Sequence, residues 1–321
     1  MNNGGTVAFN RPNTGTYGGM ISGTGGVSVT GGGAVNLTGT NTYTGPTTVS
    51  RASLSVNGSI TSNVTVGAGG FLGGTGMING NVANRRAVAP GNSIGTLNVL
   101  GNFSSGIGSG YAVEIAGSGQ SDRIAVGGTA TLTGGTVVAS LQPGGYAPRN
   151  TYTILTAAGG VTGRYASAVT NMPFLQASLG YDASNVYLTT QPGGFATAAA
   201  NPLQAAVGAV LEANAGNATG DFASVLSAVA YNTVSSTQAH YVLQQLSGNN
   251  YAGFSSAMVQ GAQLFMNNFS GTAGGPRRAA TVWRWPRPAT SRATVRRRAG
   301  ARGAGRWAGW ARSAAARLWE R

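Results

Sequence analysis

The feature that most constrains this chain is a short apolar alternation that recurs from Val27 to Leu188. Apolar residues two apart appear as Val27/Val29, Val35/Leu37, Leu54/Val56, Val64/Val66, Leu97/Val99, Val113/Ile115, Ile124/Val126 and Val186/Leu188. A period of two turns one face of a strand inward and the other outward. Gly, Asn and Thr separate the pairs, so each segment runs only about three to six residues before a turn. Strands this short, interrupted every roughly 8 to 20 positions, suit a sandwich, a barrel or a stacked solenoid.

Charge helps to choose among these. Between Met1 and Gly160 the chain carries only six Arg and two acids, Glu114 and Asp122. In a parallel solenoid, equivalent side chains of successive coils stack about 4.8 Å apart, which Thr and Asn tolerate and like charges do not. The expectation is a β-solenoid over residues 1–192 with a Val/Leu/Ile core and about eight coils of roughly 20 to 25 residues each. An antiparallel sandwich is the alternative.

After Gln191-Pro-Gly-Gly the pattern turns helical, rich in Ala, Leu, Val and Gln. Asn201 before Pro202 predicts a helix start, because Pro at the first helical position loses no helical bond. Asp221, Ser235 and Asn249 are candidate later caps. Tyr251, Phe254, Met258, Ala262, Phe265 and Phe269 recur at steps of three and four, forming one apolar stripe.

The inventory of chemistry is thin. The 321 residues include no Cys, which removes disulfide scaffolds, thiol catalysis and Cys-based zinc sites. His240 is the single His, so a Ser-His-Asp triad would have to use it. Paired carboxylates for sugar hydrolysis could come only from Glu114, Asp122 and Asp182. Asp122 lies in a turn-like Gly-Gln-Ser-Asp, where its side chain is expected to bond nearby backbone. No Gly-rich run ends in Gly-Lys-Ser/Thr, and the turns lack the regular Asp of calcium-binding repeats. The sequence therefore assigns no catalytic, cofactor-binding or metal-binding residue, no cofactor and no small-molecule substrate.

Several segments carry a family resemblance. Leu37-Thr-Gly-Thr-Asn-Thr-Tyr-Thr-Gly-Pro-Thr-Thr-Val49 followed by Leu54-Ser-Val56 resembles the strand repeat of autotransporter passenger domains. Ala89-Pro-Gly-Asn-Ser-Ile-Gly-Thr-Leu97 is similar to the turn after those repeats. Gly119-Gln-Ser-Asp-Arg-Ile-Ala-Val126 and Tyr152-Thr-Ile-Leu-Thr-Ala157 resemble the pertactin-like C-terminal rungs, and Leu246-Ser-Gly248 with Tyr251 resembles the linker before the translocator barrel. The motifs stand in the family's order over residues 5–270.

The resemblance implies a right-handed parallel β-helix over 1–192, with folding-nucleation rungs from about residue 100, and a helical linker over 193–270. Because the family's last helix belongs inside the barrel, the helices of 201–270 are expected to pack only weakly on the solenoid end, with the Tyr251–Phe269 stripe exposed, loosely docked or self-associating. It implies a barrel-proximal stalk of a type V secretion passenger: a non-enzymatic, adhesin-type module of the outer membrane and cell surface. Its partners would be its own C-terminal outer-membrane β-barrel and host-surface or matrix ligands. Some members release the passenger at an Asn-Asn step, for which Asn267-Asn268 is the candidate here. The alternatives are a β-helical polysaccharide-active enzyme, and nucleic-acid or membrane binding through the basic C-terminal tail.

That tail differs from everything before it. Residues 1–276 hold seven Arg and five acids, whereas residues 277–321 hold thirteen Arg, Glu320 and all five Trp. Ala, Arg, Gly, Pro and Trp make up four-fifths of that segment, all writable with G/C-rich codons. Shifting the codon frame lets residues 299–313 read as alternating aromatic and small residues, like the opening strands of an outer-membrane barrel. The segment 271–321 is thus expected to be a disordered basic tail, read as a frame-shifted barrel start with no specific nucleic-acid partner. With neither signal peptide nor barrel as written, the chain is expected not to reach the cell surface.

Overall fold

The computed structural model describes residues 1–248 and 258–266. Three sheets of eight strands each wrap around one apolar interior. The chain lays a strand in the first sheet, then the second, then the third, and returns to the first. The second circuit shows the scheme: Gly26–Thr30, Ala34–Leu37 and Thr40–Asn41. Neighbouring strands from successive circuits pair in parallel, so the sandwich alternative is excluded and the fold is a parallel β-helix of eight coils.

Register is continuous along the first sheet. Val7, Val27, Thr47, Val64, Val82, Phe103, Ala130 and Val161 stand in one column. The steps between them are unequal: the coils from Thr47 to Val64 and Val64 to Val82 are the shortest, and those from Phe103 to Ala130 and Ala130 to Val161 the longest. All sixteen residues of the eight apolar pairs are buried, as their alternation requires. Several polar groups that enter the interior pair with one another, although the Tyr165 hydroxyl is buried without a hydrogen-bond partner among the described residues. The Tyr43 hydroxyl shares a 2.6 Å hydrogen bond with Thr47, which shares one of 2.8 Å with Ser62.

Outward amides bind one coil to the next. The Asn63 side-chain oxygen accepts from the Asn81 N–H at 2.8 Å, Asn81 from Asn102 at 2.7 Å, and Asn102 from Thr129 at 2.9 Å. This ladder occupies the corner leading into the first sheet and satisfies turn N–H groups that strand pairing leaves over.

The last part of the predicted solenoid departs from the parallel rule. Asn185–Pro192 runs antiparallel between Asn150–Ala157 and Leu175–Tyr181. Asp182 explains the reversal: its carboxylate accepts from the N–H groups of Ser184 and Asn185 at 2.8 and 2.7 Å, closing a tight turn. Val186 and Leu188 alternate inward as expected, but they serve a hairpin rather than another coil.

Three helices follow: α1 (Pro202–Ala215), α2 (Gly220–Asn232) and α3 (Ser236–Leu246). Asn201 caps α1 through the Gln204 N–H and Ser235 caps α3 through the Gln238 N–H, as the sequence indicates. Thr219, not Asp221, holds the N-cap position of α2, and Asp221 lies in its first turn. A further helix covers 258–266, where Met258 and Phe265 are exposed. The rest of the apolar stripe, Asn249, Asn267-Asn268 and the basic tail lie outside the described residues.

The weak docking expected of these helices is not found for α1 to α3. They share a second core with Met172, Phe174, Leu175 and Phe195. Tyr231 of α2 stacks on Tyr146 with ring centroids 4.7 Å apart, and its hydroxyl accepts from the Asn150 side chain at 2.9 Å. The hairpin end of the solenoid presents apolar side chains of its own, and the helices cover them. Truncating Tyr231→Ala is expected to cost about 3 kcal/mol, read from urea unfolding followed by circular dichroism at helix and strand wavelengths.

One corner position is strained. Arg51 has φ 49°, the only positive φ of a non-Gly residue among the described residues. The coils before and after place Gly32 (φ 83°) and Gly69 (φ 64°) at this corner, and the Gly32 N–H donates to the Arg51 carbonyl at 2.7 Å. A side chain in the left-handed region costs roughly 1 kcal/mol, which Gly avoids. Arg51→Gly should therefore raise unfolding stability by up to about 1 kcal/mol, measured as a higher urea midpoint at unchanged slope.

Candidate functional site

The outward face of the second sheet is built from small residues, Ser53, Ser55, Gly73, Ala87, Ala89 and Ala112, and a groove of about 420 Å³ runs across it. Arg51 and Phe71 stand at one end. At the other, the turn Pro90-Gly91-Asn92-Ser93 folds over Glu114 and Asp122. Gly91 permits that fold, with φ 82°; a Cβ there would meet the Asp122 Oδ1 at 2.6 Å.

Asp122 is buried, with 2% of its surface exposed. Its Oδ1 accepts from the Gly95 N–H at 2.9 Å and its Oδ2 from the Glu114 N–H at 2.8 Å. It bonds backbone, as its Gly-Gln-Ser-Asp setting suggested, at two places: on the strand that leads into its own turn, and in the turn before the preceding coil's third strand. Loss of hydration raises its pKa to about 8, and the two N–H donors offset only part of that. With both oxygens engaged, Asp122 fixes the turn instead of offering a free acid to a ligand.

Glu114 carries the accessible carboxylate. Its Oε2 accepts from the Gln142 side chain at 2.9 Å, and the same Gln142 nitrogen donates to the Ser93 hydroxyl at 2.8 Å. The structure thus brings Glu114 and Asp122 together and separates them from the other candidates. Asp182 sits exposed in the terminal hairpin turn, held to a pKa of about 2 by hydrogen bonds from the side chains of Asn185 and Tyr187 and the Ser184 N–H. His240 lies on α3, and its ring makes no hydrogen bond to a hydroxyl or carboxylate among the described residues; its carbonyl accepts from Gln204 at 3.1 Å. No cluster of three or more potential metal ligands occurs among the described residues. No described helix is long and apolar enough to cross a membrane, a statement that leaves β-barrels aside.

Sequence reasoning missed Arg51 and Phe71, which join the groove only once coil register is known. It also missed Glu212 of α1, whose carboxylate accepts from the Gly194 and Phe195 N–H groups at 3.1 and 2.9 Å and pins the hairpin-to-helix connection.

No protein-family model matches the chain. Two curated proteins do, both named extracellular serine protease and both from Serratia marcescens. One is 39% identical over 178 residues, covering 52% of this chain and 17% of its own length. The other is 36% identical over 176 residues, covering 50% and 16%. This chain is similar to extracellular serine proteases. The match and the β-helix together support an autotransporter passenger region with an extracellular or cell-surface location. They also overturn the expectation of a non-enzymatic protein, since both relatives are named for an enzyme activity. The chain spans about a sixth of the length of the curated relatives it matches.

The site makes a pH prediction. Between about pH 4 and 8 the folded chain keeps a proton on Asp122 that the unfolded chain has lost, so stability falls as pH rises through that window and levels off above it. Asp182 acts oppositely and elsewhere: its contribution is complete above about pH 4 and is lost only as pH falls toward 2. The urea midpoint should drop from pH 4 to pH 8 by the equivalent of a few kcal/mol, and Asp122→Asn should abolish the slope. A flat profile in the parent chain would exclude this role for Asp122.

Proposed function

We propose that this chain is the barrel-proximal stalk of an autotransporter passenger whose whole protein is of the extracellular serine protease type. The observation that carries the reading is the unbroken stack of eight parallel coils, closed at its C-terminal end by the hairpin and α1 to α3. A solenoid coil gains its stability from its neighbours, so an end that buries a second core gives the stack a stable terminus from which coils can add. The helices from residue 193 lead toward the proposed partner, an outer-membrane β-barrel of the same protein. In this reading the coils hold the exported part of the protein away from the membrane, and host-surface or matrix ligands are met there. The protease activity named for the relatives is proposed for the whole protein, with the coils as its support.

The test is export. Residues 1–270 fused in frame between an export signal and an outer-membrane β-barrel should reach the cell surface as a folded body that resists added trypsin. Retention in the periplasm, while an unrelated passenger on the same barrel is displayed, would overturn the reading.

A further inference from the structure

Coil register collects most of the basic residues onto one edge. Seven Arg occur in residues 1–276, and five of them, Arg11, Arg51, Arg85, Arg86 and Arg164, lie in turns that join the first sheet to the second. They occupy the first, third, fifth and eighth coils. The intervening second and fourth coils place Gly31-Gly32-Gly33 and Gly67-Ala68-Gly69-Gly70 at the same corner. Arg11, Arg51 and Arg85 are exposed, and no Asp or Glu occurs before Glu114. Arg at every second coil, from the first to the fifth, gives a row of positive charge with a spacing of roughly 10 Å, twice the distance between paired strands.

Three features make this row more than scattered surface charge. Small residues between the Arg let their side chains lie along the edge: a Cβ on Gly69 would come within 3.1 Å of the Arg51 Cγ, and one on Gly15 would collide with the Arg11 guanidinium. Arg51 keeps a side chain at a corner where its neighbours use Gly, at the cost of a φ of 49°; such an outlier points to a demand other than folding. The row also borders the groove, where Phe71 offers one ring and Ser53 and Ser55 offer hydroxyls beside Arg51.

We infer that this corner binds a linear anionic polysaccharide carrying carboxylate or sulfate groups. Guanidinium groups recognise both anions through paired N–H donors. A charge every second sugar of an extended chain suits the wide Arg spacing, and the ring and hydroxyls of the groove suit the sugar faces and edges. Nucleic acid fits less well: a duplex strand carries a phosphate about every 3.4 Å, and single strands use successive stacking rings that this edge lacks. Glu114 lies at the far end of the groove and limits how far an anionic chain can extend into it.

The experiment uses the full chain and a readout resolved by residue, because the thirteen Arg of residues 277–321 also attract anions. Modification of Arg by phenylglyoxal is followed by mass spectrometry with and without a heparin octasaccharide. Arg11, Arg51 and Arg85 should be modified several-fold more slowly when the sugar is present, with Arg123 and Arg149 unchanged. Neutral dextran should protect none of them. In the Arg51→Gly variant, which should melt no lower than the parent, protection of Arg11 and Arg85 should weaken, separating binding from folding. Protection confined to residues 277–321 would overturn the site, and equal protection by oligothymidylate would overturn its assignment to a polysaccharide.

Discussion

Hydrogen bonding between successive coils is the constraint on which the rest of this structure depends. A single circuit of short strands cannot satisfy its own backbone groups, and every strand between the two ends of a sheet is bonded on both sides. From this follow the small outward residues, the rarity of charge and the amide ladder at Asn63, Asn81 and Asn102. The inward Val, Leu and Ile columns complete the arrangement, because stacked coils place like residues in contact. The same requirement explains the C-terminal end. A last coil has one bonded side to spare, and here a hairpin reverses the chain and α1 to α3 cover what remains apolar.

Much of this was legible in the sequence, and what escaped shares a cause. The apolar pairs located the buried columns because period two is a local property. The same periodicity is blind to strand direction, so Val186/Leu188 read as one more coil although Asn185–Pro192 runs antiparallel. The helix starts at Asn201 and Ser235 were readable from single residues. The docking of the helices was not, because Tyr146, Phe174, Phe195 and Tyr231 come from four separate segments. Asp122 is the sharpest case: its turn-like setting suggested a nearby backbone partner, which Glu114 supplies, but its other donor, Gly95, lies across the coil boundary. The Arg row required register too, since unequal coil lengths hide any fixed interval between its members.

Residues 1–192 carry only seven Arg and three acids, so backbone pairing and apolar packing hold most of the solenoid together. This gives the few charged groups unusual definition. Asp122 is buried at the point where a turn must close, Asp182 is exposed where a hairpin must turn, and Glu212 binds two N–H groups where strand gives way to helix. Each of these carboxylates accepts from backbone N–H groups that strand pairing leaves over, as the Asn ladder does at its own corner.

The growth in coil length has a consequence for fidelity. Repeats that are too alike can pair with the wrong neighbour, since a slip by one coil costs little when every coil offers the same outline. Here the coils are shortest in the middle, from Thr47 through Val64 to Val82, and lengthen toward the C-terminal end, from Phe103 through Ala130 to Val161. A slip by one coil among the late repeats would therefore set turns of unequal length against each other. Uneven length acts as a key, and the irregularity that hides the repeat from a reader lets the chain count its own turns.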